Sequence, residues 1–248
     1  MKLGIIQSRG IGDIIIAIPI ADWYINRGWE VHWPIDQRFV PFFSAAKPQI
    51  HFIGVDHERP EFWHDAPAAI LNELRCDRTF VLYTHLAGHN FPTPPLSLYL
   101  KFDEYKYAVA GVPFREKWTL KLERNIERET ALKRSLNLRE PYICVHRSGS
   151  LFDATNSLAI PKAWSDQFQI VEIGEATDNP FDWISTLEGA SKLVMVNSCF
   201  SNLADQLNLT MEKHFLLQAS VSMTPVLKNG WKFTTAQAAP IPVPPNQT

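Results

Sequence analysis

A short apolar run, Leu3-Gly4-Ile5-Ile6, leads through Gln7-Ser8-Arg9 and the glycines at 10 and 12 into Asp13-Ile14-Ile15-Ile16-Ala17-Ile18-Pro19-Ile20-Ala21, and this stretch constrains the chain most. The order reads as strand, tight turn and buried helix, the opening of an α/β domain. Gly10 and Gly12 let the backbone turn sharply and let something approach it. A dinucleotide fingerprint does not fit, because its third glycine would fall at position 15, an isoleucine, and Asp13 at the mouth would repel phosphate. At the carboxyl end of a first parallel strand, Asp13 is better placed to accept a proton than to hold an anion, and capping the helix is the structural alternative. Pro19 adds a second constraint: inside a helix it removes the hydrogen bond to the Ile15 carbonyl and bends the axis.

Helix and strand then keep alternating. Asn26-Arg27-Gly28 stops the first helix, residues 29–33 and 50–55 read as strands around a short helix at 39–46, and a helix at 61–74 precedes a fourth strand at 79–84. The loop that follows carries His85 and His89 and should face the Gly10–Gly12 turn, where both histidines either line a ligand or are plain loop residues. Their spacing would suit a metal pair on a helix, but Gly88 and the prolines from position 92 argue against a helix there. Tyr99, Tyr105, Tyr107, Phe114 and Trp118 are spaced either as core residues or as a platform for a sugar or base. A charged helical stretch, 123–134, reads as a solvated connector.

The pattern restarts at Pro141. Strand 141–146 ends in Arg147-Ser148-Gly149-Ser150, whose guanidinium and hydroxyls suit phosphate oxygens as well as a plain polar turn. Strand 168–174 is followed by Glu175, and strand 192–196 by Asn197-Ser198-Cys199-Phe200-Ser201-Asn202. That last helix has no carboxylate before Asp205, so its free N–H groups and positive end form the anion site that Asp13 denies to the first helix. The expected organisation is an α/β protein of two Rossmann-like domains, 1–122 and 141–239, joined by a helical connector, 123–140, and ending in a proline-rich tail, 240–248.

With 26 acidic and 24 basic side chains the formal charge is −2, so the electrostatic drive for nucleic-acid binding is absent. Three widely spaced cysteines suit a reducing compartment and show no metal spacing. The apolar start is interrupted by Gln7-Ser8-Arg9-Gly10 and lacks a signal peptide's continuous core, which points to the cytoplasm. Ile14 to Ile20 is too short to span a bilayer, which takes about 20 apolar residues, and peripheral membrane contact remains compatible.

Gly12-Asp13 with a proline six positions beyond the aspartate, in a first helix of branched apolar residues, resembles the lipopolysaccharide heptosyltransferases of glycosyltransferase family nine. The second half is similar in the order of Ile143–Ser150, Ile170–Glu175 and Val194–Cys199 followed by Leu203-Ala204. The resemblance implies the two-Rossmann-domain GT-B fold, no cofactor or metal, a nucleotide-sugar donor, and an inverting transfer with Asp13 as general base. It places Gly10, Gly12, His85 and His89 on the acceptor side, and Arg147, Ser148, Glu175, Asn197, Ser198, Cys199 and Asn202 on the donor. The family's last motif carries an aspartate, a serine or threonine, a glycine and a later histidine, where this chain has Asn197, Ser198, Cys199 or Phe200, and Asn202. The family's lysine before a Trp-Pro is also missing, the matching region being Ser157–Pro161, and Arg147 is its expected substitute. The functional expectation is therefore an inverting, metal-independent hexosyl or heptosyl transfer to a glycan or other hydroxyl acceptor. The alternatives are a catalytically silent binding protein of the same fold and a GT-B sugar epimerase.

Overall fold

The computed structural model describes residues 1–84, 95–149, 152–153, 160–174, 176–217, 224–228 and 230–235. The proline-rich tail, 240–248, lies outside them.

The first half builds a four-stranded parallel sheet from β1 (Lys2–Ile6), β2 (Glu30–Asp36), β3 (Ile50–Val55) and β4 (Arg78–Val81), in the order β3-β2-β1-β4. Helices α1 (Ile11–Ile25), α2 (Val40–Ala46) and α3 (Asp65–Glu73) connect these strands, and α4 (Phe102–Ala110) follows the sheet. The central strands β1 and β2 are buried along almost their whole length, whereas the edge strands β3 and β4 keep exposed residues. The helix expected over 61–74 is divided: a 3-10 turn, Pro60–Trp63, and α3 meet at His64, whose φ of −138° is not helical. Tyr105 and Tyr107 on α4 are buried, Phe114 and Trp118 stack edge to face in the following 3-10 segment, and Tyr99 is exposed. Four of the five aromatics thus serve packing.

The second half builds a separate five-stranded parallel sheet from β5 (Tyr142–His146), β8 (Gln169–Glu172), β9 (Lys192–Met195), β10 (Glu212–Leu217) and β11 (Trp231–Thr235), in the order β11-β10-β9-β5-β8. Between β5 and β8 lie the two-residue antiparallel partners β6 (Ser148–Gly149) and β7 (Phe152–Asp153) and the single turn α6 (Lys162–Ser165). Helix α7 (Ile184–Gly189) precedes β9 and α8 (Cys199–Gln206) follows it. The charged stretch between the halves forms α5 (Ile126–Ser135), which is solvent-exposed along most of its length, as a connector should be, but is also tied down by ion pairs. Arg124 bridges Glu129 and Glu188, Arg128 holds Asp182, and Glu129 is buried. Two buried carboxylates on this face demand guanidinium partners, which is what the charge run supplies.

One apolar core runs through both halves, from Leu3 and Ile14–Ile18 to Trp183, Leu203 and Phe215. Phe43 meets Phe181 across it with ring centroids 5.5 Å apart. Along the same seam, buried Lys117 pairs with Asp103 at 2.7 Å, and buried Asp205 accepts from the indole N–H groups of Trp118 (2.8 Å) and Trp231 (3.0 Å). Burial raises the Asp205 carboxyl above the usual range against these hydrogen bonds.

Pro19 sits inside α1, as expected, and leaves the Ile15 carbonyl without its helical donor. Gln206, fully buried on α8, supplies one: with its amide oriented as its neighbours require, Nε2 donates to Ile15 O (3.3 Å) and to Lys117 O (3.0 Å). The Tyr107 hydroxyl donates to the next carbonyl, Ile16 O, at 2.8 Å. Gln206→Leu should therefore cost about 1–3 kcal/mol of unfolding free energy by urea titration, since two buried carbonyls lose their donor. A loss below about 0.5 kcal/mol would show that this contact does not join the helices.

Candidate functional site

The site starts at the carboxyl end of β1. Gly10 occupies the N-cap position of α1 with φ +82°, the left-handed region that side chains other than glycine rarely adopt. A Cβ there would stand 2.6 Å from Asp13 Oδ2. Asp13 is the third helical residue and no side chain caps this helix, so the capping alternative is not the role it takes. Its carboxylate makes an ion pair at 3.0 Å with Lys106 Nζ on α4. The loop before it is braced by Tyr83, whose hydroxyl accepts from the Arg9 N–H (3.0 Å) and shares a hydrogen bond with Ser8 Oγ (2.9 Å). Burial pushes that phenol up to about 12, so it stays neutral beside Asp13. The Arg9 guanidinium lies 4.9 Å above the Trp63 ring.

The other side of the site comes from β5, β8 and β9. Ser198 caps α8 in a reciprocal pair: Ser201 Oγ accepts from the Ser198 N–H at 3.0 Å, and Ser198 Oγ accepts from the Ser201 N–H at 3.5 Å. No acidic residue occupies the first turn of α8. Burial pushes the Cys199 thiol up to about 12, which leaves it protonated near neutrality. Asn202 is buried, donates from Nδ2 to Ser198 O (2.9 Å), and keeps an Oδ1 without a partner among the described residues. Any side-chain carbon at Gly149 would collide with the Asn197 carbonyl, so the loops after β5 and β9 touch.

The two sides meet at Gly12. A Cβ on it would stand 3.2 Å from Asn202 Nδ2 and 3.3 Å from Cys199 Cα. The structure thus brings Gly10, Gly12 and Asp13 to the start of α8, where Ser198, Cys199 and Asn202 stand, with Asn197 just before them. Arg147 pairs with Glu172 on the neighbouring strand β8: Nε reaches both carboxylate oxygens (3.0 and 3.1 Å) and Nη2 reaches Oε1 (2.9 Å). Ser148 is exposed on β6. His85, His89 and Glu175 lie outside the described residues. Among the described residues no three His, Cys, Asp or Glu side chains gather as a metal site, and no helix is long and apolar enough to cross a membrane.

Two residues of this region are not among the sequence candidates. Lys106 stands in an aromatic helix where nothing local marks it. His146, the last residue of β5, is 8% exposed, packs edge to face on Phe200 with centroids 4.8 Å apart, and has an Nδ1 with no partner among the described residues. Burial pulls its imidazole down to about 4.

No protein-family model and no curated protein matches the chain by sequence. Solved structures match by fold. The E. coli ADP-heptose lipopolysaccharide heptosyltransferase II superposes with a TM-score of 0.64 at 14% identity, over 94% of this chain and 90% of that one. A glycosyltransferase family 9 protein from Veillonella parvula DSM 2008 gives 0.61 at 11% identity, over 94% and 86%. The dodecameric iron-containing heptosyltransferase TibC of enterotoxigenic E. coli H10407, in complex with ADP-D-β-D-heptose, gives 0.59 at 14% identity, over 96% of this chain and 63% of that one. The chain therefore has a parallel α/β fold like that of the family-nine heptosyltransferases, the resemblance that Gly12-Asp13 and Pro19 imply.

The histidine has a pH consequence. Its folded pKa lies below the unfolded value of about 6.5, so the unfolded chain takes up the proton first and stability falls as pH drops from about 6.5 toward 4. Between pH 7 and pH 5 this residue should remove about 2 kcal/mol from the unfolding free energy. His146→Leu should flatten that decline in urea titrations at the two pH values, and an unchanged decline would remove His146 as its source.

Proposed function

We propose that this chain is an inverting, metal-independent glycosyltransferase that moves a sugar from a nucleotide-sugar donor to an acceptor hydroxyl. The observation that carries the reading is the contact at Gly12 between the base-bearing start of α1 and the carboxylate-free start of α8, on a fold like that of family nine. In this reading the two sheets belong to two Rossmann-like domains, 1–122 and 141–239, with the acceptor held by the first and the donor by the second. Asp13 takes the proton of the acceptor hydroxyl while its oxygen bonds to the anomeric carbon. The bond from that carbon to the diphosphate breaks with its electron pair, and the leaving charge develops against the N-terminus of α8, where N–H groups and the helix dipole stabilise it in place of a metal. Opposite-face attack inverts the anomeric centre. Hexosyl and heptosyl donors fit equally, and ADP-D-β-D-heptose is the first to test because TibC was solved with it. A lipopolysaccharide core sugar is the first acceptor, in keeping with work in the cytoplasm or at its membrane surface.

One observation favours a silent binding protein of the same fold: Arg147, the expected substitute for the missing donor lysine, is engaged by Glu172. The two readings separate on turnover. Nucleotide-sugar at about 100 times its dissociation constant should stabilise the protein by about 2.7 kcal/mol in either case. Only the transferase should release nucleoside diphosphate in step with glycosylated acceptor. Asp13→Asn should lower that turnover by roughly 10²–10⁴-fold with donor binding kept, together with some loss of stability, because Lys106 loses its charged partner. An Asn variant that transfers sugar at the parental rate would refute Asp13 as the base.

A further inference from the structure

Three lysines of the first half are buried in ion pairs, and one pair differs from the others. Lys117 and Asp103 are both fully buried, with 0% of either side chain exposed, as befits a contact that holds packed segments together. Lys47 and Asp22 are 9% and 21% exposed. Lys106 is 3% exposed, yet its partner Asp13 is 38% exposed, so the buried ammonium faces a carboxylate that opens to solvent at the candidate site.

Lys106 is also fixed from behind. Its Nζ donates to Gln7 Oε1 at 2.6 Å and to Leu82 O at 3.2 Å, both neutral acceptors at the carboxyl ends of the neighbouring strands β1 and β4. Those anchors belong to the sheet, so the ammonium is a rigid point from which the charge reaches out to Asp13 Oδ1. The other carboxylate oxygen, Oδ2, lies beside Gly10, where a Cβ would stand 2.6 Å from it. One oxygen is held, and the glycine leaves room for the other. For a long side chain, burial costs rotamer freedom as well as hydration, and tethering the ammonium at three oxygens is what offsets both.

We propose that Lys106 is a positioning residue: anchored by Gln7 and the Leu82 carbonyl, it grips Asp13 Oδ1 and so aims Oδ2 at the acceptor hydroxyl. This rests on the transferase reading above and adds to it the residue that sets the base in place. During transfer the hydroxyl proton passes to Oδ2 and Lys106 keeps its charge throughout. The added positive charge at the pair is balanced by the negative charge leaving on the diphosphate. Misplacement of a reacting group by about 1 Å costs on the order of 10²-fold in rate, which bounds the expected effect.

The test is a double-mutant cycle between Lys106→Met and Asp13→Asn, with ADP-D-β-D-heptose as donor and deacylated lipopolysaccharide core as acceptor. Each variant's fold is checked by its thermal shift with ADP. Lys106→Met should lower kcat by roughly 10–100-fold and leave the donor KM within about twofold. In the Asp13→Asn background the same change should cost nothing further, because the group it positions is gone. Gln7→Met, which removes one anchor and spares the ion pair, should lose less than Lys106→Met. Were Lys106 only a brace for its loops, its loss would cost the same factor in both backgrounds and Gln7→Met would reproduce it, which would overturn the proposal. A folded parent without turnover of this donor or of other nucleotide-sugars overturns the transferase reading and the role of Lys106 with it. An active parent with an additive cycle overturns the role of Lys106 alone.

Discussion

The close passage of α1 and α8 is the contact on which the rest of the structure depends. It has two points of attachment with different physics. At Gly12 the absence of a side chain lets the start of α1 lie against the start of α8. Two turns further on, Pro19 strips the Ile15 carbonyl of its helical donor, and Gln206 answers it from the partner helix. A buried carbonyl without a donor is costly, so the proline makes the α8 contact obligatory. The Gly-Asp-to-proline spacing that marks this sequence therefore spans one interface, with the Asp13 carboxylate set between its two ends.

Such an interface explains how a chain of 248 residues can hold two sheets in register with each other. The apolar core is continuous across the seam, and within it Lys117 pairs with Asp103 and Asp205 with two indoles. Removing either member of the ion pair would strand a charge in a dry interior, so these pairs specify one arrangement more than they add stability. Gly149 against the Asn197 carbonyl extends the same closeness into the loops of the second sheet. The candidate site is thus built on helix starts and strand ends whose positions are fixed by packing.

Much of the fold was legible because parallel strands covered on both faces are written as plain apolar runs. Strands 50–55 and 142–146 and the starts of α1 and α8 fall where their residues place them. Local signals failed where the deciding partner is distant in sequence. Arg147 reads as a phosphate ligand beside its serines, but β8 pairs with β5 and delivers Glu172 to it, and strand order is not written in either segment. The charges of α5 read as a solvated face, yet Asp182 and Glu188 come to meet them from far along the chain. The place of Asp13 at the start of α1 was legible and its ion-pair partner was not, since Lys106 stands 93 positions away in a stretch dominated by aromatics. Pro19 announced a freed carbonyl; only the packed structure shows that Gln206 takes it.

In a crystal structure of the parent protein with ADP-D-β-D-heptose, donor and Asp13 must share one site if the starts of α1 and α8 meet for chemistry. The diphosphate should lie against residues 197–199 at the start of α8, with the anomeric carbon facing Asp13 across a gap that admits one acceptor hydroxyl. A nucleotide bound away from α8, or a sugar turned away from Asp13, would contradict it.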